Sequence, residues 1–311
     1  MGSTRKALVC AMLNFSLTTC SRTFSSLALC LSAVVLTTAC ASRPEPPILA
    51  LLTGQAAFDT AARLDKLLPA DVLLLGEQHD AAEHQQIEQQ VIANLAQRGV
   101  LAAVALEMAD AGTSTDRLHP SSSEEQVRLA LRWKDTAWPW SAYGPAVMTA
   151  VRAGVMVLGA DLPRTRMQAS MADSKLDATL PGPALTAQQQ GIRTGHCNLL
   201  PETQITPMTR IQIAKDISMA STLSQAAVPG KVVVLLSGYG HADRFLGVPQ
   251  HLSPDLKVKV IRLNAGPIAG GDKASAYDMA WVTPALPEKD YCEGLREQFG
   301  GKSLPAAGAK P

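Results

Sequence analysis

The stretch LLLGEQHDAAEHQQ, residues 73–86, sets Glu77, His79, Asp80, Glu83 and His84 behind a single apolar run. Further along, Glu107 ends LAAVALE, Asp161 ends VMVLGAD, Tyr239 and His241 follow KVVVLLSG, and Asn264 ends VKVIRLN. His79, His241 and Glu107 have the donor types of a divalent-metal set, in which an open position would present a bound water as nucleophile. Glu77 or Glu107 would then act as general base, making Glu77, His79, Glu107 and His241 the catalytic candidates of a metal-dependent hydrolase, esterase or protease-like. A carboxylate closing an apolar run is costly unless paired, which singles out Glu107. Other positions have plainer readings. Asp80 suits a helix N-cap, with Glu83 three residues on as a capping box. His84 shares an apolar helix face with Ile87, Val91 and Leu95, the usual setting of a core histidine. His119 and His251 lie in polar, Pro-flanked loops and are assigned no role. The spacing is not HExxH, and GxSxG, a P-loop and CxxCH are absent, which excludes covalent c-type haem attachment. GYG at 238–240 is no dinucleotide fingerprint.

Such side chains need elements to hold them. The runs at 71–76, 101–107, 155–161, 231–238 and 258–264 are continuously apolar rather than alternating. That pattern suits strands covered on both faces of a parallel sheet. In an open parallel sheet ligands bind beyond the carboxyl ends of the strands, and each run delivers a polar residue to that edge. Gly76, Gly238 and Gly240 allow sharp turns and close backbone approach there. Residues 164–228 contain no strand-like run and are punctuated by Pro181, Pro183, Pro201 and Pro207. The fold expected is therefore α/β, a mainly parallel sheet flanked by helices, with a small helical subdomain inserted before the fourth strand.

The 311-residue chain, 47% hydrophobic and 18% charged, has a globular composition, and aromatics at 4% leave an aliphatic, alanine-rich core. A net charge of +1 without a polybasic block gives nucleic acid nothing to bind. Arg5, Lys6 and Arg22 precede LALCLSAVVLTTAC, too short for a mature membrane span, so residues 1–39 read as a signal peptide. TTAC followed by Ala41 and Ser42 has the form of a bacterial lipobox with Cys40 lipidated; an ordinary cleaved signal is the alternative. Residues 40–47 are then a Pro-rich tether, 48–293 the folded domain and 294–311 a flexible tail. Membrane attachment would be through the lipid alone, at the outer membrane and facing periplasm or surface. Cleavage before Cys40 leaves Cys197 and Cys292 as the one disulfide available in an oxidising compartment.

GEQHD with its His-containing helix, ALEM, WPWSAYGP, GHCNLLP with IQIAKDISMA, and SGYGHADRFLGVP together resemble the ChaN-like family. These are bacterial haem-binding lipoproteins of the haem-binding uptake and Tiki superfamily. The likeness runs over about residues 48–282 with the motifs in the family's order. It implies a role in iron uptake, with haem held at the interface of a homodimer. Haem iron takes His, Tyr, Cys or Met ligands in an apolar pocket with polar anchors. The candidates are Tyr143, beside Trp133, Trp138 and Trp140, together with Tyr239, His196, Cys197 and His84. Asp243 stands where the resemblance leads one to expect a basic residue, and Arg244 is the substitute for the propionates. The wider superfamily includes metal-dependent proteases and erythromycin esterases in which the same Glu and His elements are catalytic, so the hydrolase remains the alternative.

Overall fold

A computed structural model describes residues 55–268 and 276–300. The signal peptide, Cys40, the tether to residue 47 and the end of the tail lie outside the described residues. Six strands form one all-parallel sheet: β1 (Val72–Glu77), β2 (Leu101–Asp110), β3 (Met156–Asp161), β4 (Val232–Gly238), β5 (Val258–Ala265) and β6 (Met279–Thr283). Their spatial order is β3-β2-β4-β1-β5-β6. The first five are the five apolar runs. β6 goes beyond the expected set; it is an edge strand paired only with β5.

The sheet is coated on both faces, which is why its strands do not alternate. Leu73 and Leu75 point into one core with Val91 and Leu95 of α2 (Ala82–Gln97) and Val147 of α4 (Trp140–Arg152). Val72 and Leu74 point into the other, against Met219, Ala220 and Leu223 of α7 (Glu202–Ala226). These β1 side chains are fully buried, each worth roughly 1.5–3 kcal/mol of transfer free energy. Ala103 and Ala105 lie beneath α7, where small side chains let the helix approach. The remaining helices are α1 (Gln55–Asp65), α3 (Glu124–Ala130), α5 (Arg164–Ala172), α6 (Gly182–Gly195), one turn α8 (Tyr239–Ala242), and α9 (Glu293–Gly300).

The insertion between β3 and β4 is helical, as expected, but its long helix α7 covers the sheet instead of standing apart. Cys197, just past α6, is disulfide-bonded to Cys292 just before α9. A helix therefore occupies Glu293–Gly300 where the sequence suggested a tail already loose at Gly294. The capping box at Asp80 does not form: α2 starts at Ala82, and Ala81 at the N-cap makes no side-chain bond. Among the described residues no helix is long and apolar enough to cross a membrane.

Candidate functional site

The strand register builds the site. Leu75 of β1 and Leu106 of β2 both align with Leu236 of β4, so Glu77, Glu107 and Gly238 arrive together at the carboxyl edge. The Tyr143 hydroxyl donates to Glu77 Oε1 at 2.8 Å, and His79 Nδ1 lies 2.9 Å from the same oxygen. Gln85 Nε2 donates to Oε2. The Gly238 N–H donates to Glu107 Oε2 at 2.8 Å, while Glu107 Oε1 faces His241 Nε2 at 3.3 Å. His241 Nδ1 in turn lies 2.5 Å from Asp216 Oδ1. Lys215 closes the array, 3.1 Å from Asp161 and 3.9 Å from Glu107.

Both nitrogens of His241 face carboxylate oxygens, and only the imidazolium can donate to both. Burial lowers the His241 pKa, but Glu107 first and Asp216 next outweigh it and raise it to about 10. Burial pushes Glu107 up; His241 foremost, with Lys215 and His79, pulls it well below the ordinary carboxylate range. Burial wins at Asp216, whose carboxyl is raised. Glu107 thus carries the negative charge that keeps His241 protonated. Burial lowers the pKa of His79, and the hydrogen bond to Glu77 with its neighbouring carboxylates turns the net shift upward. The Tyr143 hydroxyl is pushed far up, by burial first and then by Glu77.

The three residues read from the sequence as a metal set, His79, Glu107 and His241, are joined here in a hydrogen-bonded and ionic network. Both nitrogens of His241 are taken up by Glu107 and Asp216, and His79 Nδ1 by Glu77. Among the described residues no group of three or more His, Cys, Asp or Glu has the arrangement to hold a metal ion.

Above the array opens a cavity of about 710 Å³, within the range typical of small-molecule sites. Trp138, Pro139, Ala142 and Tyr143 form its apolar wall, and Glu77, His79, Glu107, Gly238 and His241 its floor. The His79 ring packs edge-on to Trp138, centroids 4.8 Å apart. Tyr239, Asp80, Lys289 and Tyr291 also line it. Gly238 and Gly76 serve packing, whereas a Cβ on Gly240 would meet nothing within 4 Å. A Cβ on Gly238 would lie 2.9 Å from His79 Nε2, and one on Gly76 2.8 Å from the Tyr239 Cα.

Of the haem-contact candidates, Tyr143 and Tyr239 line the cavity and the others do not. His84 is fully buried; its Nδ1 accepts the Gln78 N–H at 3.0 Å and its Nε2 lies 3.1 Å from Thr283 Oγ1. His196 closes the end of α6, its Nδ1 2.8 Å from the Ile192 carbonyl. Cys197 is consumed by the disulfide. Arg244 donates to Asp278 and to the Val258 carbonyl, which fixes it beside β5 and away from the cavity. Asp243 accepts the Phe245 and Leu246 N–H groups, a turn-capping role that explains an acid there. Asn264 donates to the Gly266 carbonyl, and Asp161 reaches the array only through Lys215. Asp80 accepts the Tyr291 hydroxyl at 2.8 Å.

Among the participants that escaped the sequence reading are Gln85, Gln212, Lys215, Asp216, Lys289 and Tyr291. Lys215 and Asp216 left one trace, a charged pair inside the otherwise uncharged IQIAKDISMA.

Residues 63–252 match the family model described as haem-binding uptake, Tiki superfamily, ChaN. Among solved structures, the chain is similar to one described as cofacial heme binding to ChaN of Campylobacter jejuni. That match has 27% identity over 68% of this chain and 87% of the other, with a TM-score of 0.56. The type III effector HopBA1 matches at 15% identity over 70% and 88% of the two chains, TM-score 0.42. A mutant of the erythromycin esterase EreC in its open conformation matches at 15% identity over 71% and 78%, TM-score 0.42. No curated protein matches.

Proposed function

This chain belongs to the haem-binding uptake, Tiki superfamily, ChaN family, and on that premise we propose that it is a haem-binding lipoprotein of the bacterial cell envelope. In this reading it serves haem and iron acquisition, is anchored through lipidated Cys40, and carries haem as cargo at the interface of a homodimer.

The observation that carries the reading is the composition of the cavity. Trp138 and Tyr143 offer an apolar wall of the kind a flat macrocycle buries against, and Tyr239 places an oxygen donor at the mouth with 48% of its surface exposed. Bound haem would supply an iron centre open to an axial oxygen or nitrogen ligand. Tyr239 is the better axial candidate on physical grounds. The Tyr143 hydroxyl is buried, already donates to Glu77, and is held against proton loss by burial and that carboxylate. Glu77 and Glu107, filled with hydrogen bonds from Tyr143, Gln85 and Gly238, hold the floor rigid. Tyr239 and Tyr291 are also two of the large exposed apolar side chains among the described residues, and both border the cavity. A second copy of the chain laid over the mouth would cover them.

Hemin titration of the chain starting after Cys40, read by Soret absorbance with gel filtration, tests this. Saturable binding accompanied by dimer formation is expected, with Tyr239→Phe shifting the Soret band and weakening affinity by tenfold or more on the order of a lost axial bond. Absence of saturable binding refutes the proposal. A Soret band unaltered by Tyr239→Phe but altered by His79→Ala would move the axial role to His79.

A further inference from the structure

The geometry points to a part of the ligand site that lies beyond the family-matched residues 63–252. We propose that the segment 284–292, fastened by the Cys197–Cys292 disulfide, delivers Lys289 to the cavity as the cationic contact for the carboxylates of the ligand. The inference rests on the haem reading above and adds the residue that would recognise the propionates.

The cavity needs such a group. Three of its lining residues, Glu77, Asp80 and Glu107, are carboxylic acids, and among its described lining residues Lys289 is the only Lys or Arg. Arg244 is committed to Asp278, and Lys215 is drawn down to Asp161 beneath the floor. The imidazolium of His241 in the floor is already held between Glu107 and Asp216, so an acidic ligand would turn its carboxylates outward to the rim and meet Lys289 there. Lys289 is suited to that exchange. Its side chain is 62% exposed, and its Nζ stands 3.8 Å from Asp80 Oδ2, an ion pair too long for a hydrogen bond. Asp80 is meanwhile satisfied at 2.8 Å by the Tyr291 hydroxyl, so a ligand carboxylate can take the ammonium without leaving Asp80 unpartnered.

Position depends on the crosslink. Residues 284–292 lie in neither strand nor helix, between the end of β6 at Thr283 and the start of α9 at Glu293. Besides the long Lys289–Asp80 ion pair, this segment is tied back to the body near Lys289 by the Tyr291–Asp80 hydrogen bond and by the disulfide to Cys197, across 95 residues of sequence. One exposed hydrogen bond is worth about 1 kcal/mol or less, so the disulfide does most of the holding. Both half-cystines sit at the boundary of the helical insertion and the C-terminal helix, three residues from Lys289 on one side.

The test compares hemin with its dimethyl ester, in which both propionates are uncharged, against full-length mature protein. Lys289→Gln should weaken hemin binding roughly three- to tenfold and leave the ester unchanged. The double variant Cys197→Ser/Cys292→Ser, used because thiol reductants themselves ligate haem, should show the same selective loss. Adding Lys289→Gln to it should then cost nothing further, with circular dichroism confirming the fold of each variant. Equal weakening of both ligands by Lys289→Gln, or of neither, overturns the assignment of Lys289. A full Lys289→Gln effect in the double serine variant overturns the role of the crosslink. Wild-type protein that binds the ester but not hemin sinks the inference and spares the haem reading, whereas saturable binding of neither sinks both.

Discussion

Replacing Glu107 by Gln probes the charge array at its centre. The residue is 5% exposed and its negative charge faces His241 at 3.3 Å, Lys215 at 3.9 Å and His79 at 3.9 Å. Breaking a buried ion pair by neutralising one partner costs about 3–5 kcal/mol. The low end applies, since Asp216 still holds His241 and a glutamine oxygen still accepts from Gly238. About 3 kcal/mol translates to a fall in Tm of roughly 6–12 °C for a domain of this size. The pH dependence gives the sharper signature. His241 titrates near about 10 in the native state against 6.5 ordinarily, so the folded form binds a proton that the unfolded form has released. That contribution is complete below about 6.5 and is lost as pH rises through about 10, at up to about 1.4 kcal/mol per pH unit. Urea unfolding of both proteins between pH 6 and 10 should show the wild-type advantage greatest at pH 6 and shrinking upward. A destabilisation under about 1 kcal/mol, or a gap that stays constant with pH, would refute the charge assignment.

Glu88 is fully buried with neither carboxyl oxygen hydrogen-bonded, and burial first, then Glu77, push its pKa well up. Its raised folded pKa means stability present at low pH and lost as pH climbs above the ordinary 4.5. Glu88→Gln should match wild type near pH 4 and exceed it by more than about 1 kcal/mol at pH 8 in urea titrations; no growing advantage with pH would count against a buried neutral acid. Gly238→Ala would place a methyl 2.9 Å from His79 Nε2, forcing the ring off Glu77. Its expected cost is about 1–3 kcal/mol, and the His79 pKa, followed by NMR, should drop from its raised value; an unmoved pKa contradicts the packing described.

What could be read in advance follows from how each residue is surrounded. The five inner runs announced themselves because two coated faces demand apolar residues at every position. MAWVT at 279–283 did not: β6 is a half-exposed edge strand of five residues, so its sequence is under less constraint. Glu107 was legible as a charge ending an apolar run. Lys215 and Asp216 were not, because a charge in a long helix ordinarily faces water, and only the three-dimensional packing turns these two inward. Asp80 misled for a local reason. A helix start one residue earlier would have used it as a cap, but Tyr291, arriving from a distant segment, claims the carboxylate. Likewise Lys289 lies among residues with no periodic pattern, and nothing in their spacing reveals which surface they cross.

The sheet order has a consequence for how the molecule comes into being. β4 lies between β1 and β2, strands that precede it by more than a hundred residues, and each of those two pairs with it rather than with the other. Such distant pairing is slow, because loop closure must be completed before any contact repays it. Until residues 232–238 insert, β3 with β2 and β1 with β5 are two separate ribbons with open inner edges, the kind of edge that recruits other chains. The same insertion brings Gly238 and His241 between Glu77 and Glu107. Completion of the sheet and creation of the site are thus one event, and a half-assembled chain has neither.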